Sequence, residues 1–272
     1  MGKGEIGTAM GSIAEDAGFC VEYYDPNLSL KPSNEFVADI IHICFPLKNI
    51  EDMDTVFNFD VRPNAIIIID ATIPLGLAPA LQWKYANMLV FHTPCRGRHP
   101  FIKTGLLKYV KMVGPADVTR RAEVETFCKF YYEKCGIHYR LLTSSEETAA
   151  GKLWDTSWFY VQIALTNEIA LYCMKNHLKF DDVYTAFQET ADTGKRFEYE
   201  NGRAVCNEFV PRPIMIPGPI GGHCLRPNVE ILKEEISPAL YSWLRFMHDC
   251  FEKHVPAIKQ NSDIDSATHN VG

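Results

Sequence analysis

The opening Gly2-Lys3-Gly4-Glu5-Ile6-Gly7 constrains the fold of this chain more than any other segment. Three glycines at that spacing, followed at once by a helix-compatible stretch from Thr8 to Ala17, describe a tight strand-to-helix turn. The first glycine permits the turn, the second lets a bound group approach the backbone, and the third lets the helix pack against its strand. The helix N-terminus then presents partial positive charge to whatever sits there. Such a turn ordinarily follows a buried strand of about five residues, and only Met1 stands before Gly2.

The rest of the first half supplies the strands and helices that such a turn needs. Phe19–Tyr24, Ile40–Phe45 and Ala65–Ile69 are short apolar runs bounded by Gly, Pro, Asp or Asn, and are expected to be buried strands. Met88–Phe91, Tyr109–Val113 and His138–Leu142 add three more. Helix-compatible stretches separate them: Ile50–Phe59, Pro79–Tyr85 and Asp117–Lys134. Alternating strand and helix predicts an α/β architecture, a Rossmann-like doubly wound parallel sheet covered on both faces. At 272 residues and 47% hydrophobic composition the chain is long enough for about two such cores.

The pattern changes at Ser144-Ser145-Glu146-Glu147, where capping oxygens and first-turn acids open a long helix expected over Thr148–Lys175. Apolar residues occur all round it, so it is expected to be buried on most sides, in a core or at a homodimer interface. Further helices are expected over Asp181–Ala191, Val229–Glu235 and Pro238–His254, with an irregular region to Pro219 between them. The expected organisation is a dinucleotide-binding domain over 1–143, a mainly helical substrate and dimerisation domain over 144–255, and a flexible polar tail over 256–272.

Charge and cysteine usage exclude several classes. The 27 basic against 34 acidic residues leave a net charge of −7, with no long basic run, so a nucleic-acid partner is not signalled. Nine scattered cysteines without a Cys-x-x-Cys pair indicate reduced thiols in a cytosolic protein. No apolar run approaches the roughly 18 residues of a membrane span, and no export signal opens the chain. Asp25, closing the run after the first helix, is placed to accept hydrogen bonds from both ribose hydroxyls and to repel a 2′-phosphate, so NAD is the expected cofactor rather than NADP.

The segment richest in reactive groups is Pro217-Gly218-Pro219-Ile220-Gly221-Gly222-His223-Cys224. Glycines before a cysteine leave the thiol approachable, and a helix beginning near Asn228 would lower its pKa. The loop resembles the Gly-Gly-His-Cys catalytic loop of the UDP-glucose/UDP-N-acetylmannosamine dehydrogenase family. The glycine turn, Ala38-Asp39-Ile40-Ile41 before Pro46, Ile69-Asp70-Ala71-Thr72, and the helix carrying Lys152 and Asn167-Glu168 fall in the family's order. The resemblance implies that Cys224 takes an aldehyde as a thiohemiacetal, with hydride leaving to NAD, and that Lys152 steadies the developing oxyanion. It also implies that Gly2, Gly4, Glu5, Ile6, Gly7, Asp25, Pro46 and Thr72 hold the cofactor. Thr156, Asn228, Gly221, Gly222 and His223 would then line the substrate site.

Three positions depart from that pattern. Thr156 stands where the family has Asn, Asn228 where it has Asp, and Cys95 where it has an acid, so complete four-electron oxidation is not expected. The chain also ends where the family's third, nucleotide-gripping domain would begin. Arg96, Arg98 and His99, in a Gly- and Pro-containing loop after a strand, could clamp an anionic or sugar-like small molecule. Three other readings stay open: a two-electron dehydrogenase of the β-hydroxyacid kind, a catalytically silent binding or regulatory protein on the same scaffold, and metal binding by His92, Cys95, His99, His223 and Cys224.

Overall fold

The computed structural model describes residues 1–53, 59–97, 99–190, 222–234, 236–247 and 249, with residues 222–226 described by their backbone alone. The chain forms two compact units, Met1–Trp154 and Asp155–Gly272, and the division falls inside one long helix.

In the first unit a five-stranded sheet has the order β1 (Ala38–Ile43), β2 (Val61–Ile69), β3 (Leu89–His92), β4 (Lys111–Pro115), β5 (Tyr139–Leu141). Four helices accompany it: α1 (Glu5–Asp16), α2 (Leu77–Lys84), α3 (Ile102–Lys108) and α4 (Arg121–Lys134). The isoleucine run of β2 shows why the sheet is covered on both faces. Successive side chains of a strand point to opposite sides. Ile66 and Ile68 accordingly join the core built from Met10 and Ile13 of α1 and Phe127 and Tyr131 of α4. Ile67 and Ile69 join the opposite core with Leu77 and Leu81 of α2. A strand buried on both faces has no polar alternation to show, hence the unbroken apolar run.

The α/β sheet matches the expected class, with particular corrections. β1, β2 and β3 are parallel, but β4 runs antiparallel to β3, and β5 is parallel to β4. Helix α3 was not anticipated: it is one of the shortest helices, and its sequence carries no capping side chain. The expected helix over Ile50–Phe59 is a short 3-10 turn at Glu51–Met53, with residues 54–58 outside the described set. Phe19–Tyr24 is not a strand, because no ladder pairs along it.

Helix α5 (Ser145–Lys175) begins as its sequence predicts, with a capping box. The Ser144 amide donates to Glu147 Oε2 at 2.7 Å, the Ser144 hydroxyl donates to the same carboxylate, and the Glu146 amide donates to Ser144 Oγ at 3.2 Å. In the second unit Tyr160 and Ala164 of α5 form a small core with Val229 of α6 (Gly222–Ile231) and Leu244. Within the single chain, Trp158, Leu165 and Tyr172 of α5 are 64%, 57% and 59% exposed and recur at heptad spacing, so the core of the chain does not cover the helix on all sides. The expected irregular region before Pro219 and the polar tail from 256 lie outside the described residues.

Candidate functional site

The glycine turn has the backbone that its spacing predicts. Gly2 takes φ +79°, a left-handed conformation that side chains disfavour. A Cβ on Gly7 would lie 1.8 Å from the Gly2 carbonyl oxygen, so only glycine closes this turn. Gly4, by contrast, has open space around its Cβ position and caps α1 without a side-chain hydrogen bond. The first-turn amides of α1 therefore have no capping side chain, as an anion-binding helix end requires. Ile6 packs its side chain into the core beneath.

Asp25 ties the turn to the following segment: Oδ2 accepts from the Lys3 amide at 2.8 Å and Oδ1 from the Asn27 amide at 3.1 Å. An ionised carboxylate has about four acceptor sites, so these two bonds leave capacity for hydroxyl donors. Glu5 lies in the first turn of α1 and meets His99 from the loop after β3. That contact ties the loop after β3 to the first turn of α1. Arg96 of the same loop is exposed and lies 5.8 Å from the centre of the Tyr109 ring. Pro46 follows β1 and Thr72 follows β2, both at the carboxyl ends of parallel strands, the edge where open α/β sheets hold ligands. Arg98 and Gly221 lie outside the described residues.

Beneath this edge lies a polar network that sequence reasoning missed. Lys111, at the start of β4, donates its ammonium to Asp70 Oδ1 at 2.8 Å and to the Thr93 carbonyl at 2.9 Å. His42 Nδ1 donates to the other Asp70 oxygen at 2.6 Å, and its Nε2 meets the Tyr131 hydroxyl at 2.9 Å. Burial pushes the Asp70 carboxyl up, but Lys111 and His42 outweigh it and hold it down at about 2. Burial lowers and Asp70 raises the Lys111 pKa, and the raising wins. Cys95 sits against the same ammonium at 3.7 Å, yet burial pushes its thiol up to about 12, even with the charges of Lys111 and Lys152 opposing. Asp70 directly follows the four isoleucines that end β2, and a carboxylate placed there was the available signal.

His92 is committed to structure. Its Nε2 donates to the Ala71 carbonyl at 2.9 Å and its Nδ1 meets the Thr148 hydroxyl at 2.7 Å, while burial lowers its pKa to about 4. Both ring nitrogens are therefore occupied. Among the described residues no group of three His, Cys, Asp or Glu is placed to hold a metal ion.

In the second unit two of the three departures from the family pattern meet each other. Asn228 Nδ2 donates to Thr156 Oγ1 at 3.0 Å, and both residues are buried. This bond clips α6 to α5. Lys152 lies one helical turn before Thr156 on α5. Gly222, His223 and Cys224 form the first turn of α6, so the helix begins at Gly222 and not near Asn228 as expected. Sequence reasoning placed the start too late because Pro227, six residues into the helix, reads as a helix beginning.

By sequence, no family model and no curated protein matches the chain. By structure, it is similar to a UDP-D-ManNAc dehydrogenase from Pyrococcus horikoshii, with TM-score 0.62 and 20% identity, over 94% of this chain and 68% of that one. The chain shares that structure's Rossmann-type α/β fold. A 3-hydroxyisobutyrate dehydrogenase from Mycobacterium tuberculosis superposes with TM-score 0.61 and 17% identity, over 93% of this chain and 91% of that one. A UDP-N-acetyl-mannosamine dehydrogenase from Staphylococcus aureus gives TM-score 0.54 and 20% identity, and the chain spans 54% of its length. Among the described residues, no helix is long and apolar enough to cross a membrane.

Proposed function

We propose that the chain is an oxidoreductase that uses NAD to oxidise an alcohol or sugar-like substrate. The observation that carries this reading is the glycine turn, with its left-handed Gly2, sterically closed Gly7 and α1 N-terminus lacking a capping side chain. The residues present fit a dinucleotide: Gly4 leaves room for close approach, and the first-turn amides of Glu5 and Ile6 offer donors to a pyrophosphate. Asp25 would take the ribose hydroxyls, with Pro46 and Thr72 bordering the cofactor along the strand ends. When bound, the nicotinamide supplies the hydride acceptor. The dehydrogenase names of the similar structures support the same class.

The chain's own groups then have distinct tasks. Cys224, in the first turn of α6, would be the nucleophile that attacks an aldehyde carbon. Lys152 would hold the resulting oxyanion. Thr156 and Asn228, a hydroxyl and an amide bonded to each other, hold α6 in place and supply no carboxylate to activate water. A thioester left on Cys224 after the second hydride departs would therefore lack a carboxylate-activated water, and its hydrolysis to the acid would be slow. In the first unit Arg96, Arg98 and His99 are the groups we propose for an anionic or sugar-like ligand, and in the second Gly221, Gly222 and His223. The Trp158, Leu165 and Tyr172 stripe of α5 is the surface we assign to a homodimer, and the reduced cysteines fit a cytosolic protein.

Calorimetric titration with NAD and NADP tests the reading. NAD is expected to bind in the micromolar to submillimolar range and to be weakened by Asp25→Ala, with folding followed in parallel. No detectable binding of either dinucleotide by a folded chain would refute it. A substrate panel read by NADH absorbance then tests turnover.

A further inference from the structure

The polar network beneath the carboxyl edge ends in a group that the proposed chemistry leaves unused, the Tyr131 hydroxyl. Asp70 divides its carboxylate, giving Oδ1 to Lys111 at 2.8 Å and Oδ2 to His42 Nδ1 at 2.6 Å. An ionised carboxylate only accepts, so the hydrogen of the second bond sits on Nδ1. In the neutral ring Nε2 is then the basic nitrogen, and the Tyr131 hydroxyl donates to it at 2.9 Å. Tyr131 and Asp70 are both buried, so this phenol, imidazole and carboxylate form a line shielded from water.

That line governs how the phenol can lose an electron. Burial raises the Tyr131 pKa well above its ordinary value, so the phenolate is not the starting form. Removing an electron from a neutral phenol leaves a strongly acidic cation, and the loss is easy only if the proton has a place to go at the same moment. His42 Nε2 is that place, already at hydrogen-bond distance, and the charge it gains is met by Asp70 on the far side of the ring. When the electron returns the proton crosses back, and nothing has left the protein.

The electron has a route as well. The Tyr131 and Tyr132 rings lie 5.4 Å apart between centres, and the Tyr132 and Tyr139 rings 6.0 Å. Tyr132 of α4 is fully buried, whereas Tyr139 of β5 is partly exposed. Three oxidisable rings thus step from the His42 bond to the surface. Phe19 and Phe127 pack against Tyr131 at 5.1 and 5.2 Å, and these rings, far harder to oxidise, leave Tyr132 as the neighbour that can pass a charge.

We propose that Tyr131 is a one-electron redox site: a one-electron oxidant at the surface draws an electron through Tyr139 and Tyr132, and the phenolic proton of Tyr131 moves to His42 Nε2. The products are a neutral tyrosyl radical, an imidazolium held by Asp70 and the reduced oxidant, so atoms and charge balance. The proposed oxidoreductase function moves electrons in pairs as hydride; this site moves one and does not rest on that function. Photogenerated ruthenium(III) tris-bipyridyl, formed with a cobalt(III) quencher, serves as the oxidant, and electron paramagnetic resonance after freeze-quenching reads the radical. The Tyr131 radical is expected to outlive exposed tyrosyl radicals, because burial keeps it from coupling with a second one. Tyr131→Phe, which keeps the ring, should abolish the long-lived signal. His42→Gln, which still accepts from the hydroxyl but takes no proton, should cut its yield at least ~10-fold, the factor that one pKa unit of lost basicity represents. Tyr132→Phe should slow its appearance and leave its lifetime unchanged. In the native chain deuterium oxide should slow its formation, since the proton moves with the electron. A long-lived signal that survives Tyr131→Phe, a yield unchanged in His42→Gln, or formation insensitive to deuterium would overturn the site. An unchanged rate in Tyr132→Phe would overturn the route.

Discussion

Lys111→Met isolates the cost of an uncompensated charge in the core. The Lys111 ammonium is 2% exposed and Asp70 fully buried, at 2.8 Å from each other, so methionine keeps the length of the side chain and removes only the cation. Breaking a buried pair from one side costs about 3–5 kcal/mol, which at about 2–4 °C per kcal/mol lowers Tm by roughly 6–20 °C. The pH dependence separates this from a packing defect. In the native chain the Asp70 carboxyl is held down at about 2, so its contribution is present above its ordinary pKa of 3.8 and is lost as pH falls through 2. Without Lys111, burial dominates and the carboxyl rises above its ordinary value. A raised group contributes stability that is present in acid and lost as pH rises. The Tm gap between variant and native chain is therefore expected to narrow from pH 7 to pH 4. Adding Asp70→Asn, which keeps an acceptor for His42, is expected to recover much of the loss at pH 7. A gap below 2 °C at pH 7, or one independent of pH, would refute the account.

Three further outcomes are expected. Gly7→Ala places a methyl 1.8 Å from a backbone oxygen and is expected to cost on the order of 3 kcal/mol and abolish dinucleotide binding. Gly11→Ala meets only the Tyr23 hydroxyl end at 2.1 Å, so ring displacement should hold its cost to about 1 kcal/mol; denaturant melts compare the two. Thr156→Val leaves the buried Asn228 amide without its acceptor and is expected to cost about 1–3 kcal/mol, largely recovered when Asn228→Leu is added. At pH 6, in a Cys20→Ser background, a thiol reagent should label Cys224 first and lose its fast phase in Cys224→Ser. Cys95 and Cys128, both pushed up to about 12 by burial, should stay slow, and uniform labelling followed by mass spectrometry would count against the nucleophile.

The parts of this fold that are local in sequence were legible, and the parts that depend on distant partners were not. The glycine turn, the Ser144–Glu147 cap and the isoleucine strand each declare themselves within a few residues, because backbone conformation, capping and two-sided burial act over that range. Phe19–Tyr24 has strand composition, yet a strand exists only when its edge is paired, and pairing is not a local property. Of the site, Thr156 and Asn228 were singled out separately, but their bond joins positions 72 residues apart. His42, Lys111 and Tyr131 went unread for the same reason. A histidine or lysine in a strand carries the signature of a solvated face until its partner is known.

The reversal of β4 explains why that partner is available. Had β4 run parallel to β3, its first residue would stand at the amino end of the sheet, away from Asp70. Running antiparallel, with His92 opposite Gly114, it brings Lys111 to the carboxyl ends of β2 and β3, where it reaches both Asp70 and the Thr93 carbonyl. The carboxyl edge gathers backbone oxygens and the Asp70 charge beneath the turn of α1, and one buried ammonium neutralises both. A Cβ on Gly114 would lie 2.2 Å from the Ser144 carbonyl oxygen that opens α5, so β4 and the start of the long helix approach each other this closely only through glycine. Gly114→Ala should therefore disturb the end of β4 and the cap of α5 together.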